Sequence, residues 1–312
     1  MGLWHHLGDV KQTVFLSRRL YAAGPALALF AGLSALAAPA AAEVSLSIQD
    51  RDVTRMISLG GSCNRCELSG RNLAGATFTG ASFVSATLVG ADLRGAELVG
   101  SNFSDSDFSR ANMTGVEIQG SNFSAAVFID VNISGAEAQG ANFSRADLSR
   151  ANLSGAELVG ANLNAAVLTE ANLSNAELFG TTLANVSARG ASFSNAELNA
   201  ANMAGGDFAG ADFSNAELDG ARMSRATFGR ARFTGASMRR TDIRGADLSG
   251  ARGLSQSQIS EACGDSSTRL PHGFSVRSCG SRITIQSPRA PAPPVPPAPP
   301  SPRRNFASAD RH

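Results

Sequence analysis

Tryptophan, tyrosine and lysine are almost missing from this chain. Trp4, Tyr21 and Lys11 are the only residues of their kinds among 312. A conventional globular core of this length would draw on more indole and phenol side chains. A core assembled from smaller units is therefore expected. Histidine is confined to His5, His6, His272 and His312. Over most of the chain no Ser-His-Asp or Cys-His constellation can be built. The 32 glycines recur at a fixed period, not in a phosphate-cradling loop. Charged residues are only 17% and the formal net charge is +1. These shortages argue against an enzyme, and neither a cofactor nor a metal is expected.

The N-terminus has the pattern of an export signal. Lys11, Arg18 and Arg19 make a basic region, and residues 20–42 carry no charge and are rich in Ala and Leu. Ala40-Ala41-Ala42 before Glu43 fits an A-x-A cleavage site. The apolar stretch is long enough to span ~30 Å of hydrocarbon. Pro25, Pro39, the many small residues and the processing motif favour a cleaved leader over a retained anchor. Ser17-Arg18-Arg19 lacks the rest of a twin-arginine signal. Residues 1–42 are thus read as a signal peptide, and the mature chain as periplasmic or secreted, without stable membrane insertion.

What the chain has in abundance is a period of five. From Cys66 to Gly250 it divides into consecutive five-residue units without insertion, such as Ala91-Asp92-Leu93-Arg94-Gly95 and Ala211-Asp212-Phe213-Ser214-Asn215. The first residue is small, the second usually Asn, Asp or Glu, the third Leu or Phe, and the last two small or polar. This period fits neither the helical 3.6 nor the strand 2. It needs a chain that turns after every unit, with the first and third residues inside. One unit cannot bury its apolar residue alone, but stacked coils can.

A second period of 20 lies on the first, one coil of four sides. The third position of one side reads Phe83, Phe103, Phe123, Phe143, Leu163, Leu183, Met203 and Met223. The second position of that side carries Asn102, Asn122, Asn142 and Asn162. The opposite side carries Asn112, Asn132, Asn152 and Asn172. Stacked amides of this kind can hydrogen-bond along the axis.

Residues 66–250 resemble the pentapeptide-repeat family, whose pattern is A-(D/N)-L-x-x. The resemblance implies an all-β fold, a right-handed quadrilateral parallel β-helix. At four units per coil it would have about nine coils and be ~45 Å long at the strand spacing. Some members of the family imitate DNA and protect a type II topoisomerase such as gyrase. For this chain that is the alternative function, since topoisomerases are cytoplasmic and an exported chain would not meet them. Nucleic acid is not an expected partner.

A solenoid needs its ends covered. Residues 43–65 are read as an N-terminal cap, with a short helix over Asp50 to Gly60. Residues 251–286 are read as a C-terminal cap. There Ser255-Gln256-Ser257-Gln258 is a capping box that starts a helix through Cys263. Residues 287–312 are Pro- and Arg-rich and read as a disordered tail. The cysteines form two local pairs. Cys263 and Cys279 are disulfide candidates that would close the C-terminal cap. Cys63 and Cys66 are either a structural disulfide or free thiols. The two pairs lie too far apart to exchange partners.

Two charge features stand out. Glu97, Glu117, Glu137, Glu157, Glu177, Glu197 and Glu217 recur every 20 residues, all at the second position of the same side. Neighbours ~5 Å apart would repel by roughly 0.8 kcal/mol even in water. The stripe suits a basic partner or divalent cations. Beyond it lies a basic end of Arg222, Arg225, Arg230, Arg232, Arg239, Arg240 and Arg244. That end suits anionic lipid, cell-wall polymer or the acidic stripe of a second copy, so homo-oligomers are a candidate assembly. The expected function is a non-catalytic exported scaffold or protein-binding module, with an unidentified protein or cell-envelope partner.

Overall fold

A computed structural model describes residues 61–280. The chain separates into two units, Met1–Ser47 and Ile48–His312, and the described residues belong to the second. The expected signal peptide, the helix over residues 50–60 and the Pro-rich tail lie outside the described residues.

Nearly every unit repeats one backbone plan. The carbonyl of the third residue accepts from the N–H that opens the next unit, as from Ala91 to Leu88 at 3.0 Å. That bond closes a turn whose third member is the unit's fifth residue. From Arg65 to Gly245, φ is positive at every fifth position. Glycine takes this left-handed conformation freely. Here eighteen non-glycine residues also adopt it, Asn, Asp and Arg among them.

The turns bring the second residue of each unit alongside the second residue of the unit twenty positions on. Asn102 pairs in parallel with Asn122 and Glu117 with Glu137, and so on along the chain. Each pairing is made by backbone bonds in both directions. Leu93 N–H donates to Asn112 O at 2.7 Å, and Asn112 N–H donates to Ala91 O at 2.9 Å. The sides of the coil are accordingly single bridged residues, not the extended strands an all-β reading suggests. A turn after every unit leaves no length for more. Pairing also starts before Cys66: Ser62 bridges Ser82, and Cys63 N–H donates to Ser82 O at 2.7 Å. Cys63 therefore sits within a repeat unit.

The first and third residues line the interior. Phe83, Phe103, Phe123 and Phe143 stack with centroids 4.6, 5.4 and 5.2 Å apart. Phenylalanine is not confined to that side. Phe108 stacks on Phe128 at 4.9 Å, Phe193 on Phe213 at 5.0 Å and Phe208 on Phe228 at 5.3 Å. Rings on adjoining sides meet edge to face, as Phe108 and Phe123 do at 5.7 Å. Where Ser or Thr replaces the first-position Ala, its hydroxyl finds a carbonyl: Thr181 Oγ1 donates to Leu158 O and Thr241 Oγ1 to Leu218 O, both at 2.8 Å. No buried hydroxyl of this kind is left to pay a desolvation penalty.

Past Arg252 the period fails and helix α1 (Gln256–Glu261) begins with the expected capping box at Ser255. The helix ends at Glu261, short of Cys263. Its Ile259 is buried, and Gln258 Nε2 donates to Phe233 O at 2.9 Å and Ala236 O at 2.7 Å. Those carbonyls belong to turns that have no further coil above them. Strands β1 (Cys263–Gly264) and β2 (Arg277–Ser278) then pair in parallel. A disulfide ties Cys263 of β1 to Cys279, the residue after β2.

Candidate functional site

The seven glutamates bridge in sequence, Glu97 to Glu117 and onward to Glu217, so their side chains leave the coil from one side. Several carboxylates are held by neighbours at the fourth position. Gln119 Nε2 donates to Glu137 Oε2 at 2.6 Å and Asn199 Nδ2 to Glu217 Oε2 at 2.8 Å, while Gln139 does the same for Glu157. Glu177 and Glu197 have no such partner among the described residues. Between them in sequence stands Phe179, 54% exposed and the one exposed large hydrophobic among the described residues. The sequence reading passed over Phe179. Its signal was an aromatic at the fourth position, where the other units hold small or polar residues, Val or, at 129, Ile.

The Asn ladders form with one broken rung. On one side Asn122 Nδ2 donates to Asn102 Oδ1 at 3.0 Å, Asn142 to Asn122 at 2.9 Å and Asn162 to Asn142 at 3.1 Å. Each of these oxygens also accepts from the backbone N–H two residues on, as Asn142 does from Ser144 at 3.1 Å. On the opposite side Asn152 bonds Asn132 and Asn172 bonds Asn152. The expected bond from Asn132 to Asn112 is absent. Asn132 Nδ2 donates instead to Thr114 Oγ1 at 3.0 Å, because that hydroxyl itself sits on Asn112 Oδ1 at 2.7 Å.

The basic end is partly neutralised. Arg239 pairs with Asp219 at 2.5 Å, and Arg244 grips both oxygens of Asp242 at 2.9 and 2.6 Å. Burial raises the Asp219 pKa, but hydrogen bonds from Ser237 and Arg239 outweigh it and leave the carboxyl below its usual range. The Arg244 guanidinium does the same for Asp242. Arg225, Arg230, Arg232 and Arg240 have no ion-pair partner among the described residues, and Arg222 donates only to Ser224 Oγ, at 3.2 Å.

One charged series was not read from the sequence. Arg110, Asp130, Arg150 and Glu170 occupy one corner on successive coils, at the fifth position. Arg150 holds Asp130 by two bonds of 2.7 and 2.9 Å. That bond pulls the Asp130 pKa down, and Arg110 adds to the effect.

All four cysteines are paired, Cys63 with Cys66 and Cys263 with Cys279. Asp242, Cys263 and Cys279 lie close enough to share an ion. Sulfurs spent in a disulfide offer no thiolate, so this trio is not a metal centre.

Among solved structures, HetL, a pentapeptide repeat protein involved in heterocyst differentiation regulation from the cyanobacterium Nostoc sp. strain PCC 7120, is 30% identical. The match covers 64% of this chain and 89% of that one, with a TM-score of 0.60. QnrB1, a plasmid-mediated fluoroquinolone resistance protein, is 20% identical over 66% of this chain and 93% of its own, with a TM-score of 0.30. A pentapeptide repeat protein of the Arabidopsis thaliana thylakoid lumen is 30% identical over 40% of this chain and 73% of its own, at a TM-score of 0.26. No curated protein matches by sequence. The model of pentapeptide repeats matches in 8 overlapping copies from residue 62 to residue 252. With most of its described length made of these units, stacked as in a right-handed β-helix, the chain belongs to the pentapeptide repeat family.

Proposed function

We propose that this protein is a non-catalytic scaffold whose glutamate face docks a basic protein partner. The frame is a quadrilateral β-helix of about nine coils at the strand spacing, with a short helical cap at its C-terminal end. The observation that carries the reading is Phe179, exposed two residues after Glu177 on the side where Glu177 bridges Glu197, two glutamates whose carboxylates have no hydrogen-bond partner among the described residues. An exposed aromatic ringed by charge is the composition of an interface anchor, with carboxylates steering a cationic surface toward it. Glu137, Glu157 and Glu217 are held in place by amides, which lowers the ordering cost of contact.

Export to the periplasm or beyond belongs to the same proposal. It rests on the leader pattern of residues 1–42 and on two disulfides that use every cysteine, a usage typical of oxidising compartments. A DNA-like role on gyrase is not favoured. The Arg110–Glu170 corner alternates in sign and the Arg-rich end opposes the acidic face, so no uniform phosphate-like potential runs along the coils.

The test is site-specific photo-cross-linking from position 179, with position 164 on an Asn side as the control, in intact cells followed by fractionation. A single envelope protein captured from 179 and not from 164 is expected, and E177Q with E197Q should abolish capture. Equal capture from both positions, or an exclusively cytoplasmic product, would overturn the reading.

A further inference from the structure

The Asn ladder that starts at Asn102 ends in a different arrangement. After Asn162 the series continues Thr182, Asn202, Arg222. Asn202 Oδ1 still accepts from Ala204 N–H at 3.2 Å. Its Nδ2, flanked by Thr182 and Arg222 in place of amides, has no acceptor among the described residues. Arg222 presents the same surplus. Its Nε donates to Ser224 Oγ, on a residue 5% exposed, and both terminal nitrogens are without partners among the described residues. The guanidinium of Arg225, at the adjoining corner, has no acceptor among the described residues.

These donors face a hollow. A cavity of about 460 Å³ is lined by Asn185, Asn202, Arg222 and Arg225 together with the small residues Ala184, Ala204 and Gly205. A second hollow of about 280 Å³ shares Arg222 and Arg225. There is room because the fourth-position residues are alanines and the corner residue is glycine. A Cβ on Gly205 would come within 2.8 Å of Asn185 Oδ1. The carboxylates nearby are already engaged. Asp242 is gripped by Arg244, and Asp265 accepts from Gly245 N–H, Ser267 and Thr268.

We propose that this trough is an oxyanion site, in which Arg222, Arg225 and the Asn202 amide hold a phosphoryl group. Arg222 is pre-aimed by the hydroxyl of buried Ser224. Two guanidiniums that converge on one concavity match the geometry of a phosphate, whose oxygens accept paired N–H donors. The site is separate from the glutamate face and does not depend on the partner proposed there. A soluble phosphate ester and a phospholipid headgroup offer the same chemistry.

Two arms test the site with the full chain. Inorganic pyrophosphate is titrated by calorimetry, and phosphatidylglycerol in phosphatidylcholine vesicles is tested by co-sedimentation. In the first arm R222Q and R225Q should each weaken pyrophosphate by about tenfold or more, R222K by less, and N202A by a few-fold. R240Q, which removes an unpaired arginine outside the trough, should leave affinity within about twofold. Vesicle binding lost in the same variants identifies a lipid headgroup as the source, and pyrophosphate binding without vesicle binding identifies a soluble phosphate. All the changed residues other than half-buried Asn202 are exposed, so thermal melts should match the parent. If R240Q weakens binding as much as R222Q, or if neither probe binds, the charge is diffuse and the site does not exist.

Discussion

Phe123 and Phe143, twenty residues apart in sequence, stack with ring centroids 5.2 Å apart and planes only 10° from parallel. The distance is the coil spacing itself, slightly stretched by the offset of the rings. Each ring also meets Phe128 edge to face, at 5.4 and 5.6 Å. The aromatic content of the core thus works as a lattice along and across the coils.

Phe123→Ala should accordingly destabilise by about 3–5 kcal/mol, the range for truncating a fully buried ring. Phe123→Leu, which restores the residue found at Leu163 on the same side, should recover most of that loss. Denaturant unfolding measures both. Equal losses for Leu and Ala would mean that ring geometry, and not volume, carries the stability.

Gly206 makes the opposite point about the repeat pattern. It stands at a first position, where Ala is the rule, and its φ is ordinary. A Cβ there would lie 2.6 Å from Phe208 Cε2 and 3.2 Å from Val186 Cγ2. Gly206→Ala therefore moves the sequence toward its own pattern and should still lower stability, by roughly 1–3 kcal/mol for overpacking. Gly206→Ala with Phe208→Leu should be clearly less destabilised than the sum of the two single changes, because the smaller side chain removes the clash. A stabilised single variant in a thermal melt would refute the packing argument.

The difference between these two positions shows what a sequence of this kind discloses. Period five and period 20 made the inside and outside of each unit legible, because burial at the first and third positions follows from turning the chain. The glutamate stripe and both Asn series were legible for the same reason. Gly206 was not, because its cause is a ring two residues on. Thr114 taking the amide of Asn132 was not, because hydroxyl and amide compete only once the coils are stacked. Phe179 and the Arg110–Asp130–Arg150–Glu170 corner were missed for a simpler reason. They occupy fourth and fifth positions, where residue type varies and each residue looks merely solvated. The trough at Arg222 needed three absences together, of an amide neighbour, of bulky fourth-position residues and of a Cβ, and only coordinates bring those to one place.

Asn142 tests the amide ladder. It donates to Asn122 and accepts from both Asn162 and Ser144 N–H. Asn142→Ala removes all three bonds and leaves two half-buried partners short, so a loss of about 1–3 kcal/mol is expected. Asn142→Asp keeps both acceptor roles but sets a carboxylate oxygen against Asn122 Oδ1, so it should also be destabilised at neutral pH and should recover in acid, where protonation restores a donor. Chemical denaturation of the two variants ranks them, and an alanine variant as stable as the parent would show that backbone bridging alone fixes the coils.

Acid should weaken the C-terminal coils through Asp219 and Asp242. Both carboxyls lie below their usual range in the folded protein, Asp242 because of Arg244 and Asp219 because Ser237 and Arg239 outweigh its burial. In the unfolded chain an aspartate titrates near pH ~3.9. Above that pH both states are ionised, and the folded state keeps the full benefit of the ion pairs. As pH falls below it, the unfolded chain takes up protons first, so stability drains until the folded carboxyls also protonate. Asp219→Asn and Asp242→Asn should each lower the melting temperature at neutral pH. The gap to the parent should shrink as pH is taken below ~4, since the parent then loses the charge the variants never had. The side chains of Arg239 and Arg244 are 68% and 51% exposed, so each gap should be modest. A gap that stays constant down to the most acidic melt would show that the aspartates act through packing or neutral hydrogen bonds, and not through charge.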